Sequence, residues 1–219
     1  ISLNDEVMGV MTAAEFSGVV RLGIPYDIVS PFAAPILKMF AQAYPNVRIE
    51  LALDSTQSLK TALFRGEIDL TLTTETHSPK GAERLIRSNL VWVGGLNGVS
   101  HSRSPLPLVI VNEDCLFRPA MFEALKKKGR DWRLMDATRN MDATLAMLQA
   151  DIGITALLES TVPNGIQVLS TEDGLPELPE FFINLYAPTN GGNALVEELA
   201  NNIREQFVAW RRPQTIMTT

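Results

Sequence analysis

Short apolar runs of strand length alternate along the chain with segments whose apolar residues recur every three or four positions. Val19–Ile24 (VVRLGI), Val47–Leu53 (VRIELAL) and Ile68–Thr73 (IDLTLT) have the length and β-branched content of strands. Between the first two, Ile36, Leu37, Phe40 and Tyr44 mark one face of a helix over Phe32–Tyr44, which Pro45 ends. Between the second and third, Leu59, Ala62, Leu63 and Phe64 line a second helix, stopped by Gly66. Ser30 before Pro31 supplies an N-cap and a first-turn proline, and Asp54-Ser55-Thr56 offers the next cap. The order β-α-β-α-β, with short crossover helices, predicts parallel strands joined by right-handed connections.

Leu85–Gly94 reads as a further strand, followed by Gly94-Gly95-Leu96-Asn97-Gly98 and a polar stretch to Pro107. The pattern then restarts. Leu108–Val111 is a strand, Pro119–Lys128 a helix with basic residues in its last turn and Gly129 as its stop, and Arg133–Met135 a strand. Thr138 caps a helix carrying Leu145 and Leu148, and strands follow at Ile152–Ala156, Val168–Leu169 and Phe181–Ala187. A second Gly/Asn-rich break precedes a helix over Ala194–Trp210 with Leu195, Leu199, Ile203, Phe207 and Trp210 as its stripe. Two such blocks predict an α/β chain of two Rossmann-like lobes, residues 18–96 plus 188–212 and residues 97–187. Residues 1–17 read as the end of a helix that begins earlier, or as a trimmed start, and 213–219 as a tail. The last helix is expected on the first lobe, and strand C-termini and helix N-termini of both lobes are expected to face a shared cleft.

Composition narrows the function. The 219 residues carry a net charge of −6, the opposite of a surface built to neutralise nucleic-acid phosphates. No apolar run approaches the ~20 residues that cross a bilayer. Ile1–Glu15 has neither the basic nor the continuous apolar region of a signal peptide. The single cysteine, Cys115, excludes an internal disulfide and a thiolate zinc cage. His77 and His101 lie in polar stretches without metal-ligand spacing, and no phosphate-binding glycine loop or nucleophile elbow is present. The expectation is a protein that is not an enzyme and needs no metal or cofactor.

What recurs is a set of helix entrances: Ser30 before Pro31, Ser55-Thr56, Cys115 to Arg118 before Pro119, and Thr138-Arg139. Helix starts present free N–H groups and partial positive charge, so several of them on one cleft favour a small anion such as a carboxylate. Ser55, Thr56 and Thr138 serve equally well as plain N-caps. Arg118 either clamps a carboxylate or pairs with Glu113 or Asp114. Phe117 either walls the pocket or plugs the core. Cys115 precedes a helix start with Arg118 nearby, features that lower a thiol pKa and suggest a redox-sensitive thiolate, although Glu113 and Asp114 oppose them. Its alternative is a small pocket-lining residue.

These features resemble the effector-binding domain of LysR-type transcriptional regulators over nearly the whole chain, from Gly18 to about Arg212. The resemblance rests on VVRLGIPYD, PILKMFAQAYPNVRIEL, LFRGEIDLTLT and DATLAMLQADIGITAL. PLVIVNEDCLFRPAMFEAL is similar to the LrhA/PecT/HexA-like subgroup. The family implies a two-lobed α/β fold with a central cleft, periplasmic-binding-protein-like of type 2. It implies a cytoplasmic sensing domain that takes a small-molecule effector. Its other implied partners are a second copy of itself, through the helices at 32–44 and 194–210, and DNA, through an N-terminal winged helix-turn-helix preceding this chain. The full-length form is then a tetramer.

Carried over by residue, Tyr26, Asp27, Ser30, Ser55, Thr56 and Thr74 face the cleft from the first lobe. Cys115, Phe117 and Arg118 face it from the second, with Arg139 at the next helix entrance. Two positions depart from the family pattern: Asp151 stands where glycine is usual in a tight turn, and Leu158 where proline is usual. Asp tolerates a left-handed backbone better than most residues, so the turn is expected to survive. A periplasmic-type solute-binding protein for a small anion is the alternative function on the same fold, and an enzyme on the same scaffold a third.

Overall fold

A computed structural model describes residues 16–111, 114–137, 140–187 and 193–210. In chain order the elements are β1 (Gly18–Pro25), α1 (Val29–Ala43), β2 (Val47–Asp54), α2 (Thr56–Phe64), β3 (Leu70–Glu75) and β4 (Glu83–Gly95). They continue with β5 (Leu106–Ile110), α3 (Phe117–Lys128), β6 (Trp132–Ala137), α4 (Met141–Gln149), β7 (Thr155–Leu158), β8 (Ile166–Leu169), β9 (Glu180–Tyr186) and α5 (Ala194–Trp210).

The larger sheet has seven strands; its first part, called the first sheet below, has the order β2-β1-β3-β9-β4, and β7 and β8 continue it from β4. β1 pairs parallel with β2 and β3, as the crossover helices require, whereas β9 runs antiparallel to both β3 and β4. β4 joins the two halves of the molecule. Residues 83–89 pair with β9, and residues 90–95 pair with β7 and β8. In the second half β5 and β6 are parallel, and Val109 N–H donates to Ile154 O while Ile154 N–H donates to Pro107 O, tying β5 to the approach of β7. The α/β character therefore matches the sequence reading, with one correction to the strand assignment. The strand at Phe181–Ala187, assigned to the second lobe, sits between β3 and β4 in the first sheet. The chain returns before β9, not at the break around 188–192, which lies outside the described residues. An apolar run specifies a strand but not its pairing partner, so hydropathy alone could not place it.

α1 and α5 cover the first sheet. Phe32, Ile36 and Phe40 of α1 share one core with Leu199, Ile203 and Phe207 of α5 and with Leu22, Leu72 and Ile183 of the sheet. Phe32 stacks on Phe207 at 4.7 Å between centroids and meets Trp210 at 5.0 Å, while Tyr44 OH donates to Glu198 at 2.7 Å. The apolar stripes of the two helices, expected to join two chains, are thus largely buried within one. Phe64, expected on the buried face of α2, is 93% exposed. It lies five residues past the buried Leu59, which rotates it about 140° away at ~100° per residue.

Local signals explain the helix ends. Ser30 is extended (φ −97°, ψ 125°), so the regular part of α1 begins at Pro31. Ser55 Oγ accepts the Ser58 N–H at the start of α2. α3 ends at Gly129 in the left-handed region, with φ 69°. α4 is capped by Asn140, whose side chain accepts from the N–H groups of Asp142 and Ala143. The expected cap, Thr138, lies outside the described residues. Asp151 adopts φ 52°, the left-handed turn expected of it. Its carboxylate also accepts from Ser100 N–H at 2.9 Å and meets Arg103 at 3.0 Å, which anchors the segment that follows β4.

Candidate functional site

Between the two halves lies a narrow, solvent-connected cleft. The first half contributes Tyr26 and Asp27 from the loop after β1, Ser55 and Thr56 at the entrance of α2, and Thr74 at the end of β3. The second half contributes Ile110 and Val111 at the end of β5, the segment Asp114–Phe117 at the entrance of α3, and Thr155–Leu157 of β7. Met121 and Met141 complete the wall. The floor is polar and the facing wall mostly apolar.

Seven of the ten residues expected at the site line this cleft: Tyr26, Asp27, Ser55, Thr56, Thr74, Cys115 and Phe117. Ser30 lines the adjoining depression, together with Tyr26, Asp27 and Met141. Arg118 does not line the cleft; its guanidinium lies over the Phe122 ring, 5.3 Å from the centroid. Arg139, and Glu113 as a partner for Arg118, fall outside the described residues. Phe117 serves both roles open to it, bordering the cleft while its ring packs edge-on against Phe181 at 5.0 Å. Sequence reasoning missed Ile110, Val111, Leu116, Met121, Met141 and Thr155–Leu157, and named Asp114 only as a partner for Arg118. Ile110 and Thr155 stand at strand ends facing the cleft, a signal readable once the strands are placed. The methionines carry none.

The polar floor is partly committed to itself. Thr56 Oγ1 accepts the Thr74 N–H at 3.0 Å and donates to Thr74 O at 3.4 Å, so this hydroxyl fastens α2 to β3. Ser55 N–H donates to Asp54 Oδ1 at 2.6 Å and Ser55 Oγ caps the helix. The helix start at α2 therefore already faces a carboxylate of its own chain. Behind Thr74, Glu75 accepts from Lys60 Nζ at 2.7 Å, Thr73 Oγ1 at 2.8 Å, Asn184 Nδ2 at 2.9 Å and Tyr186 OH at 3.1 Å. That network binds α2, β3 and β9 together beneath the cleft.

Two polar atoms of the floor remain without partners. Asp27 Oδ2 and Thr74 Oγ1 are both buried and make no hydrogen bond. Burial pushes the Asp27 carboxyl above its ordinary range, with the nearby Thr74 hydroxyl and its own backbone N–H pulling the other way. Burial also pushes the Cys115 thiol up, to about 11; the Asp27 charge adds to the rise, while N–H groups at the α3 entrance and Arg118 oppose it. The expected activation of Cys115 is thus reversed: desolvation outweighs the helix start and the guanidinium. Among the described residues the cleft lining holds no Lys, Arg or His, and no group of residues there is arranged to hold a metal. His101 pairs with Asp173 at 3.7 Å, and His77 Nδ1 lies 3.3 Å from Thr76 Oγ1.

Residues 13–208 match the model of the LysR substrate binding domain. Similar proteins include the HTH-type transcriptional regulator DgdR of Burkholderia cepacia, 25% identical over 201 residues, which are 92% of this chain and 68% of that regulator. Another is the HTH-type transcriptional regulator PecT of Dickeya dadantii (strain 3937), 23% identical over 180 residues, 82% of this chain but only 57% of that one. Among solved structures, the CcmR regulatory domain of Synechocystis PCC6803, in complex with 2-PG, superposes with a TM-score of 0.68 at 15% identity, covering 87% of this chain and 98% of that one. This structural likeness establishes the shared fold, the periplasmic-binding-protein-like fold of type 2.

Proposed function

Because the chain belongs to the LysR substrate-binding-domain family and is an effector-binding domain of transcriptional regulators rather than an enzyme, we propose that its interlobe cleft is the effector site. The observation that carries this reading is convergence: four residues expected from two separate helix entrances (Ser55, Thr56, Cys115 and Phe117) and three implied by the family resemblance (Tyr26, Asp27 and Thr74) line one cleft between the two halves. A ligand there touches both halves at once. It favours whichever arrangement it contacts better, by no more than its difference in affinity for the two. β4 and the segment between β8 and β9 are the two links across which the halves adjust.

The regulator acts in the cytoplasm, through a DNA-binding domain outside this chain. Self-association, as a dimer of this domain and a tetramer at full length, completes the proposal. With their stripes buried in the core, α1 and α5 offer a partner only outward residues such as Ala34, Pro35 and Val208. The small anion expected from the sequence would rely on the α3 entrance beside Cys115, since the α2 and α4 entrances are capped by Ser55 and Asn140.

The test uses Leu116, a 40% exposed residue of the cleft lining. Its replacement, Leu116→Trp, fills the cleft mouth and leaves the core alone. A thermal-shift screen of small acids, amines and alcohols should find compounds that raise the Tm of the wild type and not of Leu116→Trp. Compounds that stabilise both equally would contradict the cleft as the site.

A further inference from the structure

Resting on the reading of the cleft as an effector site, we propose that the molecule it selects is a small apolar amine. Its ammonium group pairs with Asp27 and Thr74, and its hydrocarbon body lies against the wall formed by the second half.

The polar end is defined by what the chain leaves unmade. Ser55 and Thr56 are engaged in holding α2. Asp27 Oδ2 and Thr74 Oγ1 lie near each other, close enough for the hydroxyl to favour the carboxylate, but neither makes a hydrogen bond of full geometry and both are shielded from water. Thr74 as a whole is 1% exposed. Buried polar atoms are nearly always hydrogen-bonded, and an unmet one is costly. Two such atoms, from different elements but lining one cleft, mark a place where a bound group supplies the missing partner. A carboxylate oxygen is only an acceptor, and a hydroxyl both donates and accepts. An ammonium, with three N–H donors, satisfies both atoms and neutralises the buried charge. Burial raises the carboxyl pKa, and the Thr74 hydroxyl and the backbone N–H only partly offset it.

The surroundings disfavour the opposite charge. Asp114 also lines the cleft, and no described lining residue is cationic. A carboxylate ligand beside Asp27 would meet a like charge in a poorly solvated space, which is tolerated only by taking up a proton. The other end is defined by the wall. Ile110, Val111, Leu116, Met121, Met141 and Leu157 offer hydrocarbon and thioether surface, so the remainder of the ligand is apolar.

Three compounds with one isobutyl body separate the possibilities: isobutylamine, isobutanol and isovalerate, titrated calorimetrically at neutral pH and fixed ionic strength into the 219-residue chain. The amine should bind the wild type at least about tenfold more tightly than isovalerate, with isobutanol between them. Asp27→Asn keeps the shape and removes the charge; it should weaken the amine at least about tenfold and reduce or reverse the preference over isovalerate. Thr74→Val, which removes the second partner, should weaken the amine by a smaller factor. Isovalerate binding as tightly as the amine, unchanged amine affinity in Asp27→Asn, or no binding by any of the three would overturn the proposal. Leu116→Trp separates the two levels. Isovalerate that binds the wild type as tightly as the amine, but not Leu116→Trp, leaves the cleft as the site and removes the amine. Binding that persists in Leu116→Trp removes both.

Discussion

Replacing Glu75 by glutamine removes a charge, and little volume, from beneath the cleft. The Glu75 carboxylate is the common acceptor for Lys60, Thr73, Asn184 and Tyr186, at 2.7, 2.8, 2.9 and 3.1 Å respectively. Glutamine offers one acceptor oxygen in place of two, so a donor loses its partner and the ion pair with Lys60 becomes a neutral bond. Charge-assisted bonds contribute roughly 1.5–3 kcal/mol against roughly 1 for neutral ones. The Lys60 side chain is 32% exposed, so water screens part of this. A loss of about 2 kcal/mol follows, or about 4–8 °C in Tm for a chain of this size.

The pH dependence gives a second readout. Burial alone would raise the Glu75 pKa, but Lys60, Asn184 and Thr73 outweigh it and hold the carboxyl below its ordinary 4.5. A carboxyl depressed on folding contributes stability that is complete above its unfolded value and is lost as pH falls through its folded value. Thermal unfolding followed by circular dichroism should show the full gap between wild type and Glu75→Gln at neutral pH, narrowing below pH 4.5. Equal Tm at neutral pH, or a gap that widens on acidification, would refute the reasoning.

Thr56→Val should cost about 1–2 kcal/mol in denaturant unfolding, because it strips both bonds between Thr56 and Thr74, while Thr56→Ser should recover most of it. A Thr56→Val protein as stable as the wild type would show that this hydroxyl does not fasten α2 to β3. Cys115, with its thiol pushed up to about 11, should react with iodoacetamide at pH 7.5 roughly a hundredfold more slowly than free cysteine. Fast labelling would restore the redox-sensor reading of this residue.

The sequence made legible whatever depends on local geometry. The stripe of α5, the strand β2, the Ser55 cap, the Gly129 stop and the left-handed Asp151 all follow from spacing or backbone preference, and all appear in the structure, although the apolar alternation of β2 leaves Leu51 and Leu53 exposed. Part of the cleft was legible too: helix entrances of an α/β chain converge by topology, which gave Ser55, Thr56, Cys115 and Phe117, while Tyr26, Asp27 and Thr74 followed from the family resemblance. The failures share a different cause. β9 is the same kind of apolar run wherever it pairs, so only the fold assigns it to the first sheet. The thiol of Cys115 was judged by its sequence neighbours, which lower its pKa, whereas desolvation in the folded cleft dominates. The anion expected at the helix entrances assumed that their N–H groups are free. Asp54, Ser55 and Asn140 already satisfy some of them. The unmet acceptor at Asp27 becomes visible only when its surroundings are in place.

The methionine methyl groups provide the most direct test of the cleft as the effector site. Met121 and Met141 line the cleft, while Met39 meets Gln206 between α1 and α5, among residues that do not line it. In methyl-resolved NMR of the 13C-methionine-labelled chain, isobutylamine should shift the Met121 and Met141 signals along a saturable curve and leave Met39 in place. Saturable shifts at Met39 with Met121 and Met141 unmoved would place the ligand elsewhere and contradict the account.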